Sequence, residues 1–339
     1  MLKIPRVTII GGGFLLLAIA VVFFASKKAE APQPTLSQIQ TQKIKVGVID
    51  VDPSVAYSAA ENQGFFPKYN LEVETVNVRG GSVESLIAGQ IDFLIMRIAS
   101  PLSASLEGAD IRWIGLLEKN FPYILYSRVA KEEINVIGVN RLGGVDHYHT
   151  LIALDAAGIN PAKINFIPTE DGRGKVIMLS KRQIDAAGIN LFYAFEAEKE
   201  LTNYQEIINL TDQSESAIPL GVLTTEKFLN SSPDAAKNFL QSLIKATFWA
   251  QKHPQETTEI ISQANKISLD QAKIVYEQFL SNTQNANFTL TPEIVQPILK
   301  AISDVKEKAV DFKFDSFVNN WIVEEIKNAG FLEKVQKEN

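Results

Sequence analysis

Short apolar runs and segments of helical periodicity alternate along residues 43–127. Residues 43–49 alternate between polar and apolar before they become fully apolar, and residues 71–74 alternate again, so both segments are predicted strands. Residues 54–63 are predicted to form a helix that ends at Gly64, because glycine favours the conformation that follows a helix C-terminus. Further predicted strands are residues 92–96, 111–117 and 123–127. This alternation predicts a largely parallel sheet with helices on both faces.

Two short motifs recur later in the chain at nearly the same offset. Val46-Gly47-Val48 recurs as Ile137-Gly138-Val139, 91 residues later, and Gln90-Ile91-Asp92 recurs as Gln183-Ile184-Asp185, 93 residues later. A predicted helix precedes each Gln-Ile-Asp motif, and an apolar strand follows it. The repeat predicts two similar lobes, the second of which runs from about residue 134 to residue 210.

From residue 214 the pattern changes to successive helices, whose N-termini are marked by Ser232-Pro233, a capping box at Ser268 and Gln271, and Thr291-Pro292. Because these helices add no strand, we expect them to pack against the first lobe, so that the chain crosses between lobes near residues 127–131 and 216–222. The first lobe is predicted to comprise residues 43–127 and 216–339, and the second residues 128–215. Two crossings form a hinge, and the cleft between the lobes is the expected ligand site.

The first 31 residues have the pattern of a membrane anchor or signal segment. Residues 7–24 carry no charge and are flanked by basic residues on both sides, and a helix of that length reaches about 27 Å, close to the thickness of a bilayer's hydrocarbon core. The alternative is a cleaved signal peptide that ends at Ala29-Glu30-Ala31. Either interpretation places the remainder of the chain outside the cytoplasm, and the uncharged residues 32–42 predict a linker.

The charge distribution and the lack of cysteine argue against several classes of function. The net charge is −6, but residues 1–31 carry +3 and the remaining residues −9, an acidic balance that disfavours nucleic acid as a partner. The chain has no cysteine, which excludes disulfides, thiolate nucleophiles, zinc–cysteine clusters and lipid attachment through cysteine. No cofactor is expected.

Motifs that could carry catalysis or metal binding have simpler interpretations. His147 and His149 lie two positions apart at a predicted helix start, so they point to different faces and are poorly placed to bind one metal, while Asp146 is expected to cap that helix. Residues 170–175 resemble a phosphate loop, but no Gly-Lys-Ser/Thr follows, so we predict a polar turn. The Gly-x-Ser-x-Gly motif of hydrolases is absent. No metal site and no catalytic residue are predicted.

Candidate ligand-binding residues lie in the loops at the ends of predicted strands, which is where α/β proteins bind ligands. Together they combine donors, acceptors and aromatic rings, a set that suits binding better than turnover. The first lobe contributes Asp50, Asp52, Ser54, Tyr57, Arg97 and Ser100, and the second lobe contributes Asn140, Gly144, His147, Glu170, Asn190 and Tyr193.

An ordered series of motifs over roughly residues 43–300 resembles the substrate-binding proteins of ABC transporters, in the subgroup for nitrate, aliphatic sulfonates, taurine and thiamine-pyrimidine precursors. The motifs include Val46-Gly47-Val48, Glu61-Asn62-Gln63-Gly64-Phe65-Phe66, Leu71-Glu72-Val73-Glu74, Ala88-Gly89-Gln90-Ile91-Asp92-Phe93 and Ala157-Gly158-Ile159-Asn160-Pro161. The resemblance implies an α/β, bilobed, type II periplasmic-binding-protein-like fold with two hinge crossings, here preceded by an N-terminal transmembrane helix. It further implies an extracytoplasmic receptor that closes on a small polar molecule and delivers it to a permease and its ATPase.

The resemblance leaves the ligand open between two classes. Arg97 suits a sulfonate or nitrate, whereas Asp50 and Asp52 repel an anion and favour a neutral or amine-bearing pyrimidine stacked on Tyr57 or Tyr193. Two other functions are alternatives to import. One is a sensory module that reports the ligand to a membrane partner. The other is an enzyme that resembles pyrimidine synthases, which the absence of cysteine disfavours.

Overall fold

The computed structural model describes residues 41–49, 54–78, 82–120, 122–210, 218–303 and 312–338. The predicted membrane anchor at residues 7–24 and the candidate ligands Asp50 and Asp52 lie outside the described residues. Among the residues that are described, no helix is both long enough and apolar enough to span a membrane.

The strands are short and lie mostly in the first two thirds of the chain. They are β1 (Gln42–Val48), β2 (Leu71–Asn77), β3 (Phe93–Arg97), β4 (Arg112–Glu118), β5 (Tyr123–Ser127), β6 (Val136–Val139), β7 (Asn165–Pro168), β8 (Ala186–Asn190), β9 (Gln205–Asn209) and β10 (Leu220–Thr224).

Helices follow most of the strands and make up nearly all of the C-terminal third. They are α1 (Val55–Asn62), α2 (Phe65–Lys68), α3 (Ser82–Ile87), α4 (Ala99–Leu106), α5 (Val145–Ala156), α6 (Gly172–Ser180), α7 (Leu191–Glu200), α8 (Glu226–Ser231), α9 (Pro233–Lys252), α10 (Pro254–Asn265), α11 (Leu269–Thr283), α12 (Pro292–Ser303), α13 (Phe314–Phe317), α14 (Trp321–Asn328) and α15 (Phe331–Glu338). The predicted capping box is present: the Ser268 hydroxyl accepts from the Gln271 backbone N–H, and the Gln271 side chain accepts from the Ser268 backbone N–H.

The strands form two five-stranded sheets that share one strand order. The order is β2-β1-β3-β10-β4 in the first sheet and β7-β6-β8-β5-β9 in the second. The central strand pairs β1–β3 and β6–β8 are parallel, and the fourth strand of each sheet, β10 or β5, is antiparallel to both neighbours. β3 and β10 are buried along their whole length, as expected for strands with helices on both faces. The common order agrees with the internal repeat of the sequence.

The first crossing between the sheets comes earlier than the sequence predicts. β5 pairs with β8 and β9, so it belongs to the second sheet, although the predicted boundary after residue 127 places it in the first lobe. The first crossing is therefore the short segment between β4 and β5, and the second joins β9 to β10. An apolar strand pattern shows that a strand is buried but not which sheet it joins. The predicted boundary between the lobes was therefore placed after β5 instead of before it.

The helices after β10 pack mainly on the first sheet, as predicted, but α12 does not. α9 packs on α1, and α11 and α14 pack on β4, whereas α12 contacts α5 of the second lobe and α4 of the first. Leu102 of α4, Tyr148 of α5 and Ile298 of α12 belong to one buried apolar cluster. The two lobes are consequently joined along one side by a shared core as well as by the two crossings.

Candidate functional site

A cavity of about 30 Å³ lies where the two sheets meet. The first turns of α1 and α7 come from opposite lobes and both reach it, together with the ends of β3 and β4 and one face of α11. Its wall is mostly apolar, with a few polar groups. The lining residues are Val55, Arg97, Glu118, Pro122, Leu191, Phe192, Val275, Gln278, Phe279 and Asn282.

Arg97 is part of this wall, and its guanidinium group is already engaged by the protein. Nη2 lies 2.9 Å from Oε2 of Glu118, and both side chains are almost fully buried. Nη1 donates to the backbone carbonyls of Asn120, at 3.2 Å, and of Ile218, at 3.1 Å. The positive charge of Arg97 is therefore balanced by Glu118 within a buried network, where charge-assisted hydrogen bonds are strong.

Two asparagines extend this network to the crossings. The Asn120 side chain donates to the carbonyl of Leu210 at 2.8 Å, and the Asn120 backbone N–H donates to Oδ1 of Asn282 at 2.8 Å. We call Arg97, Glu118, Asn120 and Asn282 the crossing cluster. It links the end of β4, the first crossing, both ends of the second crossing and α11.

Gln278 lines the cavity and carries a buried amide oxygen. Its Oε1 is buried and has no hydrogen-bond partner within the part of the chain that the structure describes. The Gln278 backbone carbonyl is used differently, since it accepts from Nδ2 of Asn282 at 2.9 Å. Leaving a buried acceptor unpaired costs about 1–3 kcal/mol, so a donor group that reaches this atom would be favoured.

Ser54 and Asn190 hold the two helices whose first turns face the cavity. The Ser54 hydroxyl accepts from the Tyr57 backbone N–H at 3.3 Å, and Asn190 Oδ1 accepts from the Tyr193 backbone N–H at 3.1 Å. Both residues are thus N-caps, the role that Ser and Asn commonly take, next to the lining residues Val55 and Leu191.

The two tyrosines proposed from the sequence as stacking platforms lie elsewhere. Tyr57 is buried in the first lobe, with its hydroxyl 2.7 Å from Oγ1 of Thr75 and its ring 5.3 Å from that of Phe66, and burial raises its pKa. The Tyr193 ring lies against Gly172, where an added Cβ would come within 2.2 Å of it. Tyr57 therefore packs α1 in the core, and Tyr193 packs α7 on α6.

A second buried polar cluster lies under α5 in the second lobe. The Lys175 ammonium group is 2.5 Å from Oδ1 of Asp146 and 2.5 Å from the carbonyl of Gly188. The Tyr123 hydroxyl donates to the same Asp146 oxygen at 2.9 Å and lies 2.9 Å from Oγ1 of Thr150. Asp146 was expected to cap α5, but the N-cap is Gly144, and Asp146 instead joins α5 to α6 and β5.

Both histidines of α5 are buried near this cluster. His147 Nδ1 accepts from the Gly143 backbone N–H at 3.0 Å, which puts the ring proton on Nε2, and burial lowers its pKa despite the Asp146 charge. Burial lowers the pKa of His149 to about 3, against the opposing effect of Asp146 and with a smaller contribution from the Arg97 and Lys175 charges. No group of three metal-ligating side chains is found among the described residues.

The remaining candidates lie in two loops and at the start of α4. Ser100 is the second residue of α4, Gly144 is the buried N-cap of α5, and Glu170 is exposed with a left-handed φ of 68°. Asn140 donates its backbone N–H to Oδ2 of Asp146 at 2.9 Å, and its own Oδ1 is buried. None of these four lines the cavity, and of the candidates that the structure describes it is Arg97 that lines it directly.

The sequence did not point to several residues of the site. Glu118, Gln278 and Asn282 were given no role, because a polar residue at or near the end of an element is usually exposed. The burial of Lys175 had one usable signal: its neighbours Val176 and Leu179 are on the buried face of α6, and Lys175 lies on the same face.

The chain is similar to known proteins both in sequence and in fold. A family model described as NMT1/THI5 like matches residues 54–257, more than half of the chain. No curated protein matches the sequence significantly. The ligand-binding component of an ABC-type import system from Staphylococcus aureus, solved with zinc bound, has a TM-score of 0.67 at 17% identity, covering 84% of this chain and 98% of that one.

Two further similar structures are those of proteins named for the anion that they bind. The periplasmic aliphatic sulphonate-binding protein SsuA from Escherichia coli has a TM-score of 0.64 at 14% identity, covering 79% of this chain and 88% of that one. The periplasmic nitrate-binding protein NrtA from Synechocystis PCC 6803 also has a TM-score of 0.64 at 14% identity, covering 86% and 89%.

These matches confirm the resemblance found in the sequence and the bilobed α/β periplasmic-binding-protein fold. The fold also occurs in the desulfurization enzyme DSZB, with a TM-score of 0.63 at 13% identity. Most of the matched proteins are nevertheless binding proteins, in agreement with the prediction of a receptor rather than an enzyme.

Proposed function

Because the chain belongs to the NMT1/THI5-like family, we propose that it is the solute-binding component of an ABC-type importer. The observation that carries this proposal is the cavity between the first turns of α1 and α7, which come from different lobes. The cavity of about 30 Å³ has room for only one or two water molecules, so a larger ligand requires the lobes to move apart. A ligand held there would touch both lobes at once, and this contact is what a receptor that closes on its ligand needs.

The proposal includes the location and the partners. Residues 7–24 are the proposed anchor, which holds the receptor on the outer face of the cell membrane next to a permease and its ATPase. These residues lie outside the described part of the chain, so this part of the proposal rests on the uncharged segment of the sequence and on the relatives that are components of import systems.

We propose a neutral heterocycle that carries N–H donors, such as a pyrimidine-type precursor, as the ligand class. Arg97 is balanced by Glu118, so the cavity wall offers no uncompensated positive charge from this residue. Gln278 offers an unpaired acceptor, and Phe192 and Phe279 offer aromatic faces. An oxyanion would have to compete with Glu118 for the guanidinium group.

A sulfonate or nitrate-like anion is the second candidate, because one observation favours it. The first turns of α1 and α7 both line the cavity, and the free backbone N–H groups and positive dipole end of a helix N-terminus attract negative oxygens. The two candidates differ in charge, so one comparative experiment separates them.

Thermal unfolding of the full chain in detergent, with 4-amino-2-methylpyrimidine, methanesulfonate or sodium nitrate added, tests the proposal. A ligand at about 100 times its dissociation constant stabilises a protein by about 2.7 kcal/mol, which raises the melting temperature measurably. Stabilisation by the pyrimidine alone supports the neutral class, and stabilisation by either anion replaces it with the second candidate. If none of a wider panel of small polar molecules raises the melting temperature, the receptor proposal fails.

A further inference from the structure

Arg97 bonds to both segments that connect the lobes, through a single nitrogen. Nη1 donates to the carbonyl of Asn120 in the first crossing and to the carbonyl of Ile218 at the end of the second crossing. We infer that Arg97, supported by Glu118 and Asn120, holds the two crossings together as one hinge, and that it is a positioning residue rather than the ligand's anchor. We call the Arg97 bonds to the two crossings the fastening.

Two further hydrogen bonds, which do not involve the guanidinium group, also attach the ends of the second crossing. Asn120 Nδ2 donates to the carbonyl of Leu210, where the second crossing begins, and the Ile98 backbone N–H donates to the carbonyl of Pro219, where it ends. Both ends of the second crossing are therefore attached to the first crossing or to the end of β3. The described ends of the two crossings are thus tied to each other through Arg97 and Asn120.

Burial gives these bonds their strength. The Arg97 and Glu118 side chains are 5% and 11% exposed, and Leu210 and Ile218 are fully buried, so water cannot readily replace the bonds when they break. A buried charge that loses its partner is strongly unfavourable, and this penalty opposes any opening motion that separates Arg97 from Glu118 or from the carbonyls.

The same ion pair forms part of the cavity wall. A molecule in the cavity therefore contacts the fastening directly, which joins ligand binding and hinge motion in one set of side chains. The inference concerns the hinge alone, and it can be tested without any ligand, so its failure is separate from a failure of the proposed transport function.

The distance between the lobes is the decisive measurement. The chain has no cysteine, so Lys181→Cys on the second lobe and Asp270→Cys on α11 introduce two spin labels at exposed positions without removing native thiols. Pulsed electron–electron double resonance on the doubly labelled full chain in detergent then gives the distribution of distances between the two labels, and so between the lobes.

The test variant is the double substitution Arg97→Met and Glu118→Met, which removes the fastening without leaving an unpaired buried charge. We expect its distance distribution to broaden and to gain a population at longer distance. The control is Arg112→Met with Glu226→Met, which removes an ion pair of 2.8 Å whose two partners both lie in the first lobe, and which should keep the parent distribution.

A lower melting temperature with an unchanged distance distribution overturns the inference, because it shows a structural role without control of the hinge. If the double variant does not fold, as judged by circular dichroism, Asn120→Ala decides. This variant keeps the ion pair but removes the bond to Leu210, and it should broaden the distribution to a smaller extent. An unchanged distribution in Asn120→Ala likewise overturns the inference.

Discussion

Lys175 is almost completely buried, and its ammonium group depends on Asp146 for its charge balance. Lys175→Met removes that balance and leaves the carboxylate, whose side chain is 13% exposed, without its cation. We expect the free energy of unfolding, measured by urea denaturation, to fall by about 3–5 kcal/mol, as for other buried pairs that lose one partner.

The matched control is Lys43→Met, since Lys43 pairs with Glu72 at the surface at 2.9 Å. An exposed pair of this kind contributes about 0–1 kcal/mol. Equal losses in the two variants would contradict the structural role of the buried cluster.

His149 makes the stability of the protein dependent on pH. Its pKa is about 3 in the folded chain, because burial disfavours the charged ring, and about 6.5 in an unfolded chain. The unfolded state therefore binds more protons between these values, so the stabilisation is complete above about pH 6.5 and is lost as the pH falls toward 3.

His149→Gln should flatten the fall in unfolding free energy between pH 6.5 and pH 4, by up to about 1.4 kcal/mol per pH unit for the one proton involved. Denaturation curves of parent and variant at several pH values measure this difference in slope. Parallel pH profiles for the two proteins would show that His149 can be protonated in the folded state.

Gln278→Leu tests the acceptor in the cavity. Removing Oε1 takes away one hydrogen bond to a ligand donor, and we expect affinity for 4-amino-2-methylpyrimidine to fall about five- to tenfold, in line with a bond of about 1 kcal/mol. Isothermal titration calorimetry measures the change. Gln263→Leu, at an exposed position of α10, makes the same chemical change away from the cavity and should leave the affinity unaltered.

At this scale the sequence proposed Arg97, Ser54 and Asn190 as ligand-binding candidates, and these three lie at or next to the cavity. It did not indicate which bonds they make within the protein. Residue type and position after a strand are visible in a sequence, and these three follow that rule. Whether an arginine faces a ligand or a glutamate depends on contacts made by Glu118, Asn120 and later segments of the chain. Those contacts are long-range and leave no local pattern.

At the scale of elements, α12 joins the two lobes. It packs on α5 and α4, and its Ile298 is fully buried in the core that both lobes share. Ile298→Ala should lower the free energy of unfolding by about 2–5 kcal/mol because it opens a cavity in that core. Ile274→Ala on α11, where the side chain is 42% exposed, should have a much smaller effect in the same urea titration.

Most elements were predictable, because strands and helices follow from local periodicity and capping residues such as Ser268. The membership of β5 in the second sheet and the packing of α12 were not. Both depend on which surface an apolar face meets, and this is decided by the whole chain rather than by the segment.

At the scale of the whole molecule, the shared core makes the two lobes one cooperative unit. Leu102, Tyr148 and Ile298 come from three elements in two lobes and are buried in one cluster. We expect calorimetry to show one unfolding transition with equal calorimetric and van 't Hoff enthalpies. Two resolved transitions would mean that the lobes unfold separately.

The antiparallel strand β10 also has a consequence for how the chain acquires its structure during synthesis. β10 completes the first sheet by pairing with β3 and β4, yet it follows the whole second lobe in the sequence. A nascent chain emerges N-terminal end first, so all strands of the second sheet are available before β10 is. The second sheet can close early, while β3 and β4 wait with unpaired edges that are open to wrong partners. The half that begins the chain is the half that finishes folding last.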